Sequence, residues 1–270
     1  MPTARVGDIN IEYYVEGSGA PLMMIMGFGG QASWWSERFL ELLRPHFQII
    51  RFSNRGTGQT DKPQVQYSVR MMADDAAGLL GELGIGKAHV LGISMGGMIA
   101  QELVLDYPER VRGLVLGCTT PGWSQGVPPS QETTALLMPT PGVSLEEQFR
   151  KAWPAIVTPE LVEREREFLE EMLRIGLENV TPMDTMMRQA AAIQAFDAYE
   201  RLPQIQAPTF IIHGDKDQLM PPQNADILRE RVPGSTLRTV SGAAHMFFWE
   251  KPGESAEAIV EFLSSVPAAA

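Results

Sequence analysis

The chain has 270 residues, 44% hydrophobic and 20% charged, the proportions of a soluble globular protein with enough apolar material for a large core. Lys and Arg number 22 against 33 Asp and Glu, a net charge of −11. Such a surface repels phosphate backbones and anionic headgroups, which argues against nucleic acid and membrane partners and disfavours strongly anionic substrates.

The N-terminus, MPTARVGDINIEYY, holds no apolar signal segment, and no run approaches the roughly 18 apolar residues of a membrane span. A cytoplasmic protein is expected, monomeric or homodimeric. Residues 5–8 and 10–16 alternate apolar and polar and predict an antiparallel strand pair. LMMIM (22–26) reads as a buried strand that ends in glycines. A helix is expected over 36–43, a strand over 47–52 (FQIIRF), a helix over 68–83 and a strand over 88–93. A helix over 95–107 stops near Pro108, and 112–117 is a further strand. Strand–helix alternation of this kind predicts a parallel sheet with helices on both faces.

The rhythm then breaks. From Pro121 to Pro203 no strand signal occurs. Pro121, Pro128, Pro129, Pro139 and Pro141 punctuate the entry, and helices are expected over 145–153, 159–175 and 183–199. Strands resume at 209–213 (TFIIH) and 236–240, with a final helix over 253–264. The chain therefore reads as one α/β domain in two parts, 1–120 and 205–270, interrupted by a helical insertion at 121–204.

Chemistry concentrates at LGISMGGMIAQ (91–101). Gly92-Ile93-Ser94-Met95-Gly96 fits G-x-S-x-G between a strand and a helix. A serine on that sharp turn projects its hydroxyl out of the sheet, and side chains two positions away would collide, hence the glycines. Ser94 needs a base. Of the four histidines, His46 precedes a strand, His89 lies within one, and His213 ends one and reads as a loop-shaping residue. His245, in the small-residue loop after the last strand, sits where open α/β sheets gather catalytic groups. The base needs an acid, and HGDKDQLMPP (213–222) offers Asp215 and Asp217, either of which could instead cap a turn.

These motifs together resemble the serine α/β-hydrolase superfamily over about residues 10–120 and 205–265: an α/β-hydrolase fold, with a mostly parallel eight-stranded sheet flanked by helices. Its acid loop is Gly-x-x-Asp-x-x-x-Pro, matched by Gly214, Asp217 and Pro221, so the resemblance implies Asp217 as the acid, in the chain order Ser94, Asp217, His245. It also implies an oxyanion hole from two backbone N–H groups, Met95 and Phe28. The second lies in MGFGGQASWW (26–35), where Met26 stands in the place of the family's usual histidine. SNRGTGQTD (53–61) resembles a structural loop of the family, with Ser53 where an acid is common.

The insertion falls where the superfamily places its lid. Met183, Met186, Met187, Ala190 and Ile193 are expected on one helical face, with Phe196 continuing it, as the wall of an adaptable apolar pocket. Gly27, Trp34, Trp35, Trp123, Met138, Trp153 and Met246 are further pocket candidates. Cys118, with no basic neighbour in sequence, reads as a small buried hydrophobe. The scattered histidines offer no metal-ligand spacing, and the glycines at 27–30 precede no P-loop lysine, so no metal or cofactor is expected.

Within the superfamily the resemblance spans carboxylesterases, enol-lactonases, acyl-homoserine lactonases, methylesterases and cofactor-free perhydrolases. The acidic insertion weighs against an enol-lactone that carries a free carboxylate. The expected activity is hydrolysis of a medium-sized, mostly apolar ester or lactone, with an acyl-homoserine lactone as one candidate. A perhydrolase or enol-lactonase is the alternative in class, and a hydrolase-like receptor with little turnover the alternative outside it.

Overall fold

The computed structural model describes residues 2–137, 140 and 142–267. Eight strands form one sheet: β1 (Thr3–Val6), β2 (Ile9–Gly17), β3 (Ala20–Ile25), β4 (Phe47–Phe52), β5 (Ala88–Ile93), β6 (Val111–Gly117), β7 (Thr209–Gly214) and β8 (Thr236–Val240). Their order is β1-β2-β4-β3-β5-β6-β7-β8. β2 pairs antiparallel with β1 and β4, and the remaining pairs are parallel. The β1–β2 hairpin turns at Gly7, whose φ of 52° suits a residue without Cβ, so the first strand ends at Val6 and not at Asp8.

The continuous apolar runs are strands buried on both faces. In β3, Met23 and Ile25 join one core cluster while Leu22 and Met24 join the other, the two-residue period of a strand dividing its side chains between the faces. The first face is covered by α2 (Val69–Glu82) and α3 (Met95–Asp106), the second by α1 (Glu37–Leu43), α10 (Phe247–Glu250) and α11 (Pro252–Ser265). The α2 helix starts where the Ser68 hydroxyl accepts the Met71 N–H, leaving one fewer orphan donor in its first turn.

Between β6 and β7 the described residues form helices: α4 (Gln131–Leu137), α5 (Leu145–Ile156), α6 (Pro159–Arg164), α7 (Arg166–Glu178) and α8 (Met183–Ala195). A 3-10 turn over Tyr199–Gln204 follows, and α9 (Gln223–Arg231) links β7 to β8. The single helix expected over 159–175 is two, broken at Glu165, and α8 ends at Ala195 before Phe196 turns extended. A Ser144/Glu147 capping box opens α5, which runs past Trp153 and accommodates Pro154. Among the described residues no helix is long and apolar enough to cross a membrane.

Candidate active site

Ser94 occupies the turn between β5 and α3 with φ 59° and ψ −122°, a conformation L-residues rarely adopt. Its backbone is held on both sides: its N–H donates to the Gly117 carbonyl at 2.9 Å, and the Thr119 hydroxyl donates to its carbonyl at 2.7 Å. The flanking glycines are required by space. A Cβ on Gly92 would lie 2.2 Å from the Gly96 carbonyl oxygen, and one on Gly96 would lie 2.1 Å from the Ile25 carbonyl oxygen.

Asp217 follows β7 and is buried. Its Oδ1 accepts the N–H groups of Leu219 and Met220, both at 2.9 Å, which fixes the carboxylate plane. Its Oδ2 lies 2.8 Å from His245 Nδ1. A carboxylate only accepts there, so Nδ1 carries the proton and Nε2 of a neutral His245 is left as a base. Burial alone raises the Asp217 carboxyl. The charge of His245 and the hydrogen bonds from His213 and His245 outweigh it and hold the group well below the usual carboxylate range. Among the described residues no hydrogen bond runs from His245 to Ser94 Oγ; in substrate-free sites this contact is commonly long. Asp215 is turned to other work: its Oδ1 accepts the Gly242 N–H at 2.8 Å and steadies the loop after β8.

Two neighbours escaped the sequence reading. His213 Nε2 donates to the Met220 carbonyl at 2.7 Å and lies 3.3 Å from Asp217 Oδ2, so the acid stands between two imidazoles. Cys118, at φ 42° just past β6, is fully buried, and its Sγ, the Asp217 carboxylate and the His245 ring nitrogen all lie within 4.8 Å of one another. Burial, and then the charge of Asp217, push this thiol upward and keep it protonated. The three atoms could in principle ligate a metal. The 2.8 Å Asp217–His245 contact is, however, tighter than the roughly 3.4 Å between two ligands of a tetrahedral ion with bonds of about 2.1 Å. His89 stays in β5, neutral, its imidazole pushed down to about 4 chiefly by burial. His46 is exposed.

The loop after β3 turns over Gly27–Gly30, closed by the Gly30 N–H to the Gly27 carbonyl at 3.1 Å, with Gly29 at φ 65°. Gly27 abuts Ser94: a Cβ there would lie 2.9 Å from Ser94 Cβ. Among the described residues the N–H groups of Phe28 and Met95 have no hydrogen-bond partner. With Met26 in place of a histidine, the loop is braced by Asn54, which donates to the Met26 carbonyl at 2.7 Å, and by Thr57, which donates to the Gly30 carbonyl at 3.1 Å.

The pocket candidates divide. Met183 and Met187 are 55% and 67% exposed, so they line no closed pocket wall. The buried residues of α8 are Thr185, Gln189 and Ala192, a face rotated from the methionine stripe; Gln189 meets backbone groups and Ala192 joins the apolar core. Met186 reaches the turn after β3, its Sδ 2.9 Å from where a Cβ on Gly29 would stand. Trp35 packs with Phe39 and Phe248 in the core, and Trp153, Phe196 and Met246 are buried core residues too. Trp34 sits edge-on to Phe149, and Trp123 donates to the Ile193 carbonyl at 2.7 Å. Met138 lies outside the described residues.

The model of the alpha/beta hydrolase fold family matches residues 20–252. A protein of Azorhizobium caulinodans named carbamate hydrolase RutD is 29% identical over 267 residues, 98% of this chain and 99% of that one. The structure of Est816, described as an N-acyl homoserine lactone degrading enzyme, superposes with a TM-score of 0.82 at 27% identity, covering 97% of this chain and all of that one. An enol-lactonase from Burkholderia xenovorans LB400 shares the fold with a TM-score of 0.85 at 22% identity, over 98% of this chain and 100% of its own. The chain belongs to the alpha/beta hydrolase fold family and is one of its hydrolytic enzymes.

Proposed function

We propose that the chain is a serine hydrolase that cleaves a carboxylic ester or lactone through an acyl-enzyme. Ser94 Oγ attacks the carbonyl carbon while His245 Nε2 takes its proton. The charge gathers on the carbonyl oxygen, which the Phe28 and Met95 N–H groups receive. Collapse breaks the bond to the leaving alcohol, which takes the proton from His245. Water, deprotonated by the same nitrogen, then attacks the acyl carbon and frees Ser94. Asp217 holds the His245 tautomer throughout. Residues 121–204 act as a lid over the two core parts, 1–120 and 205–270.

The observation that carries this reading is the 2.8 Å Asp217–His245 bond, set in the chain order of the fold beside a serine held at φ 59°. A second reading is cleavage of a carbamate, supported by the name of the relative matched over nearly its whole length. The same triad serves both, because a carbamate offers the same carbonyl to the same nucleophile.

The test is a panel of p-nitrophenyl esters, acyl-homoserine lactones and a simple carbamate, with Ser94→Ala alongside. Wild-type turnover should fall by roughly 10⁴-fold or more in the variant. Retained activity in Ser94→Ala would overturn the mechanism. Ammonia release outpacing ester cleavage would select the carbamate reading.

A further inference from the structure

The buried face of α8 carries a primary amide where burial would ordinarily favour an apolar side chain. Gln189 has no exposed surface. Its Oε1 accepts the Gly29 N–H at 2.9 Å, and its Nε2 donates to the Arg55 carbonyl at 3.1 Å. An apolar residue there would strand both backbone groups in the interior, and an unmatched amide would be costly in its own right.

The place of that hydrogen bond matters. In the turn after β3 the Gly30 N–H is taken by Gly27 and the Gly29 N–H by Gln189. Among the described residues the Phe28 N–H is then left free, beside Ser94. Thr181, just ahead of α8, donates its hydroxyl to the Gly29 carbonyl at 3.3 Å, so both polar ends of the Gly29 residue are held by the same short segment. Met186 closes over Gly29 from above. The other end of Gln189 is anchored on Arg55, whose guanidinium is buried and paired with Asp75 at 2.6 Å. The amide therefore joins the turn to a rigid part of the core.

We propose that Gln189 is a positioning residue for the oxyanion hole. It orients the Phe28 peptide by holding the next residue, and it keeps the Gly29 N–H turned away from the space beside Ser94. The inference rests on the serine-hydrolase reading. Oxyanion stabilisation depends on donors fixed to within a fraction of an ångström before charge develops, so the loss should appear in turnover and not in substrate binding.

The test compares Gln189→Met, which keeps the shape and removes both hydrogen bonds, with wild type on a p-nitrophenyl ester. The second readout is inhibition by a trifluoromethyl ketone, whose adduct with Ser94 carries the oxyanion. Roughly a tenfold fall in kcat is expected, with KM within about twofold and ketone affinity reduced by the same factor as kcat. Unchanged kcat and ketone affinity would overturn the proposal. So would a rise in KM with ketone affinity intact, the mark of a packing role. If Gln189→Met does not fold, Thr181→Val carries the test on the same residue. It should lower kcat and ketone affinity together by roughly two- to threefold, and no change in either overturns the proposal. Ser94→Ala in parallel separates the two failures. Activity surviving in Ser94→Ala removes the mechanism itself, whereas an inactive Ser94→Ala beside a fully active Gln189→Met removes only the positioning role.

Discussion

Replacing Gly96 by alanine sets two effects against each other. Its φ is not left-handed, and it sits in the first turn of α3, where alanine is the better helix former by about 1 kcal/mol. Against that, the new Cβ would lie 2.1 Å from the Ile25 carbonyl oxygen, 2.7 Å from its carbon and 2.9 Å from the Met26 oxygen. These are backbone atoms. Ile25 stands opposite Gly92 in the β3–β5 ladder, so it cannot rotate aside as a side chain could. Relief requires α3 to lift from the sheet by roughly 1 Å along a helix whose residues Met95 to Val104 are all buried. Overpacking of this kind costs about 3 kcal/mol at the upper end of its usual range, so the net loss should be about 2 kcal/mol. For a chain of this size that is a fall in Tm of roughly 4–8 °C. Differential scanning calorimetry and urea unfolding measure it directly. A Tm within about 1 °C of wild type would refute the reasoning, because the strand carbonyl would then have yielded and helix propensity decided the outcome.

Asp217→Asn keeps an oxygen for the Leu219 and Met220 N–H groups and so turns its NH2 toward His245. Nδ1 must then accept, the proton moves to Nε2, and the base is lost: kcat should fall by roughly 10³–10⁴-fold, and a loss below about tenfold would refute the role. Glu250 accepts from the Ala244 N–H and the Thr158 hydroxyl; burial raises its carboxyl above the ordinary 4.5 despite those bonds. The folded protein thus binds this proton more tightly than the unfolded chain. Its contribution is full below the unfolded value and declines as pH rises through the folded one. The Tm of Glu250→Gln relative to wild type should therefore improve between about pH 4 and about pH 8, and a difference that stays flat or reverses across thermal melts would contradict this.

The strands were legible because each is either a continuous apolar run or a clean alternation: FQIIRF and AHVLGI occupy β4 and β5 residue for residue. The proposed triad of Ser94, Asp217 and His245 stood out in the sequence because each sits in a local motif at the carboxyl end of a strand, and the 2.8 Å contact joins the last two. What stayed hidden depends on neighbours far apart in sequence. Cys118 reaches Asp217 only because β6 and β7 are adjacent in the sheet, a pairing bridged by the helical segment and invisible to any local window, whereas His213 lies just four residues before Asp217 and its turn toward the acid is set by the loop after β7. The methionine stripe of α8 misled for a related reason. Helical periodicity identifies an apolar face, but α8 docks on backbone through Thr185 and Gln189, which hydrogen-bond or fit where apolar bulk would not. The break at Glu165 interrupts a run of good helix formers, where tertiary packing overrides propensity.

The helical segment between β6 and β7 is tied both to the turn after β3 and to the loop that carries His245. Gln189 and Thr181 hold Gly29, the Ile156 carbonyl accepts the Met246 N–H at 2.9 Å, and Thr158 shares Glu250 with the Ala244 N–H. Any excursion that carries this segment away from the sheet releases the turn beside Ser94 and the residues flanking His245 together. Under the mechanism we propose, opened members of the ensemble would be idle as well as accessible, and their fraction would be subtracted from the fraction able to turn over. A ligand seated beneath the segment shifts that balance back, so occupancy and competence rise together.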